Sequence, residues 1–191
     1  MLQVLTAVPK ERVTRQTKGL FRMKEEVIMP EKSYTDELVE HIRQTCRFDW
    51  MMIEHVKLDD MVTDYVLVGP KGVFLIHINR TTAPVHVTNR DYRLQTSLGW
   101  NTVYPHPIEE LDVLTRNVRA TLKRLCGQPV PVTSLLIFPE TERLKVERVK
   151  SFCGTSFELV DRVITKTKLE ALSEATIKQI AYLSTERQVH K

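Results

Sequence analysis

The stretch that decides the fold spans residues 63–79 and reads TDYVLVGPKGVFLIHIN. Its two apolar runs, 65–68 and 73–76, are separated by the four residues GPKG. Pro70 presets φ at the first central position of a turn, and Gly72 accepts a positive φ. The pattern therefore predicts two antiparallel strands joined by a tight hairpin.

The spacing within this hairpin predicts which side chains face one another. If the GPKG segment is a simple loop, Val68 pairs with Val73, and continuing outward places Asp64 opposite His77. Side chains alternate between the two faces of a strand, so Asn79 shares a face with His77. A bulge at the loop would shift the pairing by one residue and separate these side chains.

Upstream of the hairpin, the sequence predicts a helix that runs to about residue 45. Ser33 has the position of an N-cap, and Asp36 that of its reciprocal partner. Leu38, Ile42 and Cys46 recur every four residues and form one apolar stripe.

Further strand patterns lie on both sides of the hairpin. Residues 48–56 are rich in aromatic and bulky apolar side chains, which favour a strand, and a polar bend is expected at 57–60. Residues 85–87 and 92–94 predict two short strands with a turn at 88–91. Together with the hairpin they predict a meander of strands.

The second half of the chain begins with a predicted long helix. It starts at Pro107 and ends before Gly127, a residue suited to the left-handed conformation at a helix C-terminus. Its apolar positions recur at helical spacing. They are Leu111, Leu114, Val118, Leu122 and Leu125.

After that helix, the apolar run 130–138 predicts a strand that is buried on both faces. Residues 146–152 and 159–164 predict two more strands. A helical region begins near residue 169, and Ser173 has the position of an N-cap for a second, shorter helix. This order of elements predicts an α/β fold with a mixed central sheet flanked by helices.

Length and composition limit the class of protein. The 191 residues, 42% hydrophobic and 27% charged, suit one globular domain. We predict a basic N-terminal arm over 1–32 and an α/β domain over 33–191. No run approaches the apolar length of a membrane span, and no secretory signal is recognisable, so a cytoplasmic location and no membrane partner are expected.

Positive charge favours an anionic partner. The formal net charge is +4, and residues 10–24 contain six cations against one acid. This arm is predicted to lie along DNA phosphates. Its predicted contacts are Arg12, Arg15, Lys18 and Arg22. The alternative is a solvated terminal segment.

Arg116, Arg119 and Lys123 form a second basic group on the long helix, away from its apolar stripe. They are candidate DNA contacts, and the alternative is an ordinary exposed charged surface. Motifs for other chemistries are missing from the sequence: it has no nucleophile elbow, phosphate-binding loop or zinc-protease helix. Its three cysteines form no C-x-x-C pair and are expected to be buried or half-buried thiols.

The run 63–79 resembles the core of the nuclease-related domain, a branch of the restriction-endonuclease-like superfamily with the PD-(D/E)xK motif. The resemblance extends over about residues 33–140. It implies a restriction-endonuclease-like mixed sheet and a metal-dependent nuclease ancestry. Family members carry a helical Glu, an Asp that opens the first hairpin strand, a Glu-x-Lys that closes the second, and a Gln in the next helix.

Carried onto this chain, the family positions fall on five residues. The helical Glu corresponds to Glu37 and the strand Asp to Asp64, and both acids are present. The catalytic Glu position is His77, the Lys position is Asn79 and the helical Gln position is Glu110. Three of the five positions therefore depart from the family pattern.

These departures bear directly on the expected chemistry. Phosphodiester hydrolysis needs a hard cation held by carboxylates, and a Lys that orients or deprotonates water. His77 removes one negative ligand, and Asn79 removes a cation, so cleavage is expected to be weak or lost. Arg80 could supply positive charge, but it has the wrong parity to reach Asp64 if the strand continues.

Three functional hypotheses follow. The first is a pseudoenzyme without a cofactor that acts as a DNA-interacting or protein-interacting module. The second is a DNA endonuclease with a variant site, in which Glu37, Asp64 and His77 hold Mg²⁺ or Mn²⁺. The third is a structural partner protein that binds neither metal nor nucleic acid.

Each candidate site residue also has a purely structural interpretation. His77 lies between two isoleucines and is equally suited to a core or edge position with a satisfied hydrogen bond. Asp64 has the alternative of capping a turn. Glu37 and Glu110 are expected in the first turns of helices, where the helix dipole favours acids without any function.

Overall fold

The computed structural model describes residues 2–6, 14–18, 23–27, 33–47, 49–58, 61–168 and 172–186. The helices within these ranges are α1 (Thr35–Ile42), α2 (Pro107–Cys126), α3 (Glu158–Lys166) and α4 (Glu174–Glu186). The strands up to the end of the predicted hairpin are β1 (Gln3–Thr6), β2 (Thr14–Lys18), β3 (Met23–Val27), β4 (Met51–Leu58), β5 (Met61–Gly69) and β6 (Gly72–Ile78). The later strands are β7 (Val85–Thr88), β8 (Tyr92–Thr96), β9 (Gly99–Thr102), β10 (Val132–Ile137), β11 (Leu144–Glu147) and β12 (Phe152–Gly154).

A six-stranded mixed sheet forms the centre of the fold, in the order β1-β4-β5-β6-β10-β12. Strands β4, β5 and β6 form an antiparallel meander. Strand β1 is parallel to β4, and β10 is parallel to both β6 and β12. The predicted mixed α/β architecture is confirmed, and it agrees with a restriction-endonuclease-like fold.

The hairpin has the predicted register. Val68 pairs with Val73 and Gly69 with Gly72, so no bulge shifts the strands. Gly72 adopts a φ of 122°, and a Cβ there would lie 2.6 Å from the Pro131 carbonyl oxygen. Glycine is therefore required for both the turn and the close approach of β10.

Alternate residues of this hairpin enter two separate hydrophobic cores. Val66 and Leu75 pack on the face covered by α2 and α4, whereas Tyr65 and Phe74 pack on the face covered by α1 and α3. A sheet covered on both faces buries every residue of its central strands. This explains the continuous apolar runs. Each fully buried large apolar side chain stabilises the folded state by about 1.5–3 kcal/mol.

A four-stranded sheet, in the order β11-β7-β8-β9, lies beside the central sheet, and its inner residues join the core of α2 and α4. Strands β7 and β8 and the turn between them were predicted. Strand β9 was not, because its residues GWNT lack apolar alternation. The predicted strand 146–152 is wrong: β11 and β12 are separate strands of different sheets.

Two local predictions about helices are also wrong. Residues 159–164, predicted as a strand, lie in α3, where Val160, Val163 and Ile164 are buried at helical spacing. Such a short apolar run fits either period, and packing against α1 selects the helix. The N-cap of α1 is Tyr34 rather than Ser33. The Ser33 hydroxyl accepts the amide of Thr35, the first helical residue, at 3.4 Å. An N-cap side chain would instead accept the amide of the second or third helical residue.

Other predicted elements are confirmed. Helix α2 ends at Gly127 with a φ of 69°, and the His106 ring accepts the Ile108 amide at its start. The predicted strand 48–56 is observed as β4, which continues through residues 57–58 of the expected bend; residues 59–60 lie outside the described part. The Ser173 hydroxyl accepts the Thr176 amide at the start of α4.

The predicted arm, 1–32, is described only in part. Within it, β1 joins the central sheet and β2 pairs with β3. Arg12 and Arg22 lie outside the described residues, and only the backbone of Arg15 and Lys18 is described. None of the described helices has the length and apolar character needed to cross a membrane.

Candidate nuclease-related site

The site predicted from the hairpin lies where β5 begins and β6 ends. The strand ladder continues to the pair Tyr65 and Ile76. Beyond it, Asp64 Oδ2 accepts the Ile78 amide at 2.7 Å and lies 3.4 Å from His77 Nδ1. The structure therefore brings Asp64 and His77 together as the spacing predicted.

Arg80 joins this pair, because β6 does not continue as far as Arg80. Its Nη2 donates to Asp64 Oδ1 at 2.8 Å, and its Nη1 donates to the Ile78 carbonyl at 3.4 Å. Strand β6 ends at Ile78, so the alternation of the strand no longer determines where Arg80 points. The guanidinium also lies 5.9 Å from the centre of the Tyr34 ring, on the N-terminal side of α1.

Both oxygens of the Asp64 carboxylate are thus bound by donors from its own chain. Its side chain is only 10% exposed, and that of Arg80 is 25% exposed. A guanidinium held against a nearly buried carboxylate balances its charge and supplies directed hydrogen bonds. Arg80 therefore places a positive charge directly against the Asp64 carboxylate.

Asn79, at the family Lys position, has a different environment. Its side-chain amide donates to the Tyr92 hydroxyl at 3.1 Å, and its carbonyl oxygen accepts the Thr81 amide at 3.1 Å. Its backbone amide donates to Ile137 at 2.8 Å. Asn79 therefore connects the end of β6 to the four-stranded sheet and to β10.

A second polar group, which the sequence reasoning missed, lies towards α1. The Tyr34 hydroxyl donates to Glu140, and the Tyr34 amide donates to the Tyr65 hydroxyl at 3.0 Å. The Thr35 hydroxyl donates to the buried Glu54. Burial, followed by the hydrogen bond to Glu140, raises the pKa of Tyr34. The available signal was Glu54 itself, an acid within the apolar run MMIEHV.

Glu37 and Glu110, the remaining family positions, are both exposed. Glu37 is on α1, which packs on one face of the central sheet. By strand alternation, Asp64 and His77 belong to the other face. Glu110 is in the first turn of α2. Among the described residues, no three His, Cys, Asp or Glu side chains are grouped closely enough to hold a metal ion.

The basic group on α2 lies on the exposed side of that helix, as predicted. Arg116 and Lys123 are exposed, whereas Arg119 also donates to the Val132 carbonyl at 2.6 Å and so attaches α2 to β10. Their contact with DNA stays a prediction, as do the catalytic roles of the hairpin residues.

The three cysteines are free thiols with no disulfide among them. Cys46 is fully buried, and Cys126 and Cys153 are partly buried, as expected. Burial raises the pKa of all three thiols, so they are poor nucleophiles at neutral pH.

The comparison with known families agrees with this geometry. The family model described as nuclease-related domain matches residues 32–139, more than half of the chain, and includes the Asp64–His77 hairpin. Neither the curated proteins nor the solved structures contain a match to the chain.

Proposed function

The chain belongs to the nuclease-related domain family, and on that premise we propose that it is a pseudoenzyme module that binds nucleic acid without cleaving it. The family accounts for the fold and for the position of Asp64. The departures at His77, Asn79 and Glu110 concern catalysis.

The observation that carries the proposal is the ion pair between Asp64 and Arg80, 2.8 Å apart. A divalent cation at Asp64 would have to displace a guanidinium that already neutralises this carboxylate. The gain from binding the cation is reduced by the loss of this nearly buried ion pair. The same arrangement stabilises the hairpin end, which gives Asp64 a structural role.

The neighbouring side chains support the same conclusion. His77 offers an imidazole where the family has a carboxylate, and an imidazole is a weak ligand for Mg²⁺. Asn79 is an amide bound to Tyr92, and an amide cannot replace the positive charge of the family Lys. Hydrolysis therefore lacks both the cation site and the group that orients water.

Binding of nucleic acid is supported by charge and ancestry. The chain carries a net charge of +4, and Arg116 and Lys123 are exposed on one side of α2. Such a surface attracts phosphates through counterion release, which requires no catalytic group. The alternative activity is metal-dependent cleavage of DNA, which a nicking assay distinguishes from binding alone.

Cleavage is tested with supercoiled plasmid in Mg²⁺ or Mn²⁺, using the wild-type chain and Asp64→Asn. We expect no nicking above that of a mock preparation in either metal. Nicking by the wild type that depends on metal and is lost in Asp64→Asn would show that the variant site is an active endonuclease.

Binding is tested by fluorescence anisotropy with labelled DNA of about 20 nucleotides, at salt between about 50 and 200 mM. We expect affinity to fall by about tenfold or more over this range. Arg116→Gln with Lys123→Gln should weaken binding, whereas Arg43→Gln, at an exposed arginine paired with Glu40 on α1, serves as the matched control. If nothing binds at low salt, the chain is a partner protein that does not contact nucleic acid.

A further inference from the structure

The four-stranded sheet has one buried face and one open face. Val85, Val87 and Tyr92 point into the core, so the residues that alternate with them point outward. The register places Lys145, His86 and Arg93 side by side across three strands. This open surface, which also includes Glu147 of β11 and Trp100 of β9, is called the outer sheet face.

An exposed tryptophan is the first unusual feature of the outer sheet face. Trp100 is 42% exposed, whereas Trp50, the other tryptophan of the chain, is 3% exposed. The His86 ring contacts Trp100 edge-on, at 6.1 Å between ring centres. Leu98 and Tyr104, close in the chain, are 92% and 79% exposed. Residues 98–104 thus carry three large exposed hydrophobic side chains.

Positive charge is the second feature. Four cations lie on or beside the outer sheet face, and two acids lie among them, which leaves an excess of two positive charges. The cations are Arg90, Arg93, Lys145 and Arg148, and the acids are Asp91 and Glu147. The side chains of Arg93 and Lys145 are 42% and 60% exposed.

An open cleft continues this surface at the end of β7 and β11. Its volume is about 850 Å³, and Arg90 and Arg148 line it together with Thr88 and Glu147. Thr88 and Glu147 are paired in the sheet, so the cleft and the outer sheet face are continuous. Hydrogen bonds from Lys145 and then His86 lower the pKa of Glu147.

We infer that the outer sheet face binds single-stranded nucleic acid, with a base stacked on Trp100 and phosphates beside Arg93, Lys145 and the arginines of the cleft. An indole needs the face of a base, which a duplex hides within its own stack. An exposed aromatic side chain on the same sheet face as cations is complementary to both parts of an unpaired strand. This inference rests on the proposed nucleic-acid binding; it adds a surface separate from Arg116 and Lys123 of α2 and names an unpaired strand as the ligand of that surface.

The test uses the full chain and three labelled probes of about 15 nucleotides: oligothymidylate, oligouridylate and a duplex. We expect tighter binding to the single strands than to the duplex, and quenching of Trp100 fluorescence on binding. Comparison of the two single-stranded probes distinguishes DNA from RNA.

Variants separate stacking from general attraction. Trp100→Ala should weaken single-strand binding by about tenfold or more, and Trp100→Phe should retain most of it. Phe152→Ala, at a comparably exposed aromatic on β12, is the matched control and should bind as the wild type does. Lys145→Gln should reduce the slope of log affinity against log salt concentration by about one, which corresponds to the loss of one phosphate contact.

The outcomes distinguish this inference from the proposed function. Equal binding of duplex and single strands, unaffected by Trp100→Ala, would overturn the inference and leave nucleic-acid binding intact. Absence of binding to all three probes at low salt would overturn both.

Discussion

The end of the β5–β6 hairpin and the outer sheet face use charged residues in opposite ways. At the hairpin end, the Asp64 side chain is 10% exposed, and both of its oxygens accept hydrogen bonds from the chain. On the outer sheet face, Lys145 and Glu147 are 60% and 47% exposed and their pair is open to water. The charges at the hairpin end are therefore held within the structure, whereas those of the outer sheet face are open to water.

The two tryptophans should give the largest difference. Trp50 packs against Phe74 and directly over Gly69, so Trp50→Ala should cost about 3–5 kcal/mol by leaving a cavity in the central sheet. Trp100→Ala should cost less than about 1 kcal/mol because its ring is already partly in water. Urea unfolding measures both. Equal costs would show that the outer sheet face is as tightly built as the core.

Asp64 should give the next largest effect. Asp64→Ala leaves the Arg80 guanidinium and the Ile78 amide without this acceptor, so unfolding free energy should fall by about 2–3 kcal/mol. Glu147→Ala is the control, since Glu147 is a carboxylate whose ion pair is exposed, and its midpoint should not move measurably. If Asp64→Ala leaves the unfolding free energy unchanged, Asp64 does not stabilise the hairpin end.

Tyr34 should give the smallest effect, visible only at alkaline pH. Its folded pKa is raised above the ordinary value of 10.0 by burial and by the hydrogen bond to Glu140. The stability from keeping the hydroxyl neutral is therefore fully present below about pH 10 and is lost as pH rises towards the raised pKa.

Tyr34→Phe should accordingly lose about 1 kcal/mol less stability than the wild type between about pH 8 and pH 11. Tyr104→Phe, at an exposed tyrosine, is the control and should lose stability as the wild type does. Chemical denaturation at several pH values gives the slopes. Identical slopes for all three proteins would mean that folding does not raise the pKa of Tyr34.

The sequence predicted the structure best where several local signals agreed. The turn residues, the apolar runs and their spacing together predicted the hairpin, its register and the meeting of Asp64 with His77. Prediction from the sequence failed where a short segment is compatible with two structures or has no pattern. Residues 159–164 fit a strand or a helix, and β9 has no pattern of its own; contacts with distant elements decide both.

The site shows the same division. The sequence by itself determined the nuclease-related hairpin and the loss of the family Glu and Lys, because these depend on residue identity and spacing. Only the tertiary structure decided that Arg80 neutralises Asp64, since its position depends on where β6 ends, and that Tyr34, Glu54 and Glu140 belong to one polar group. These contacts join residues far apart in the chain, and no local periodicity encodes them.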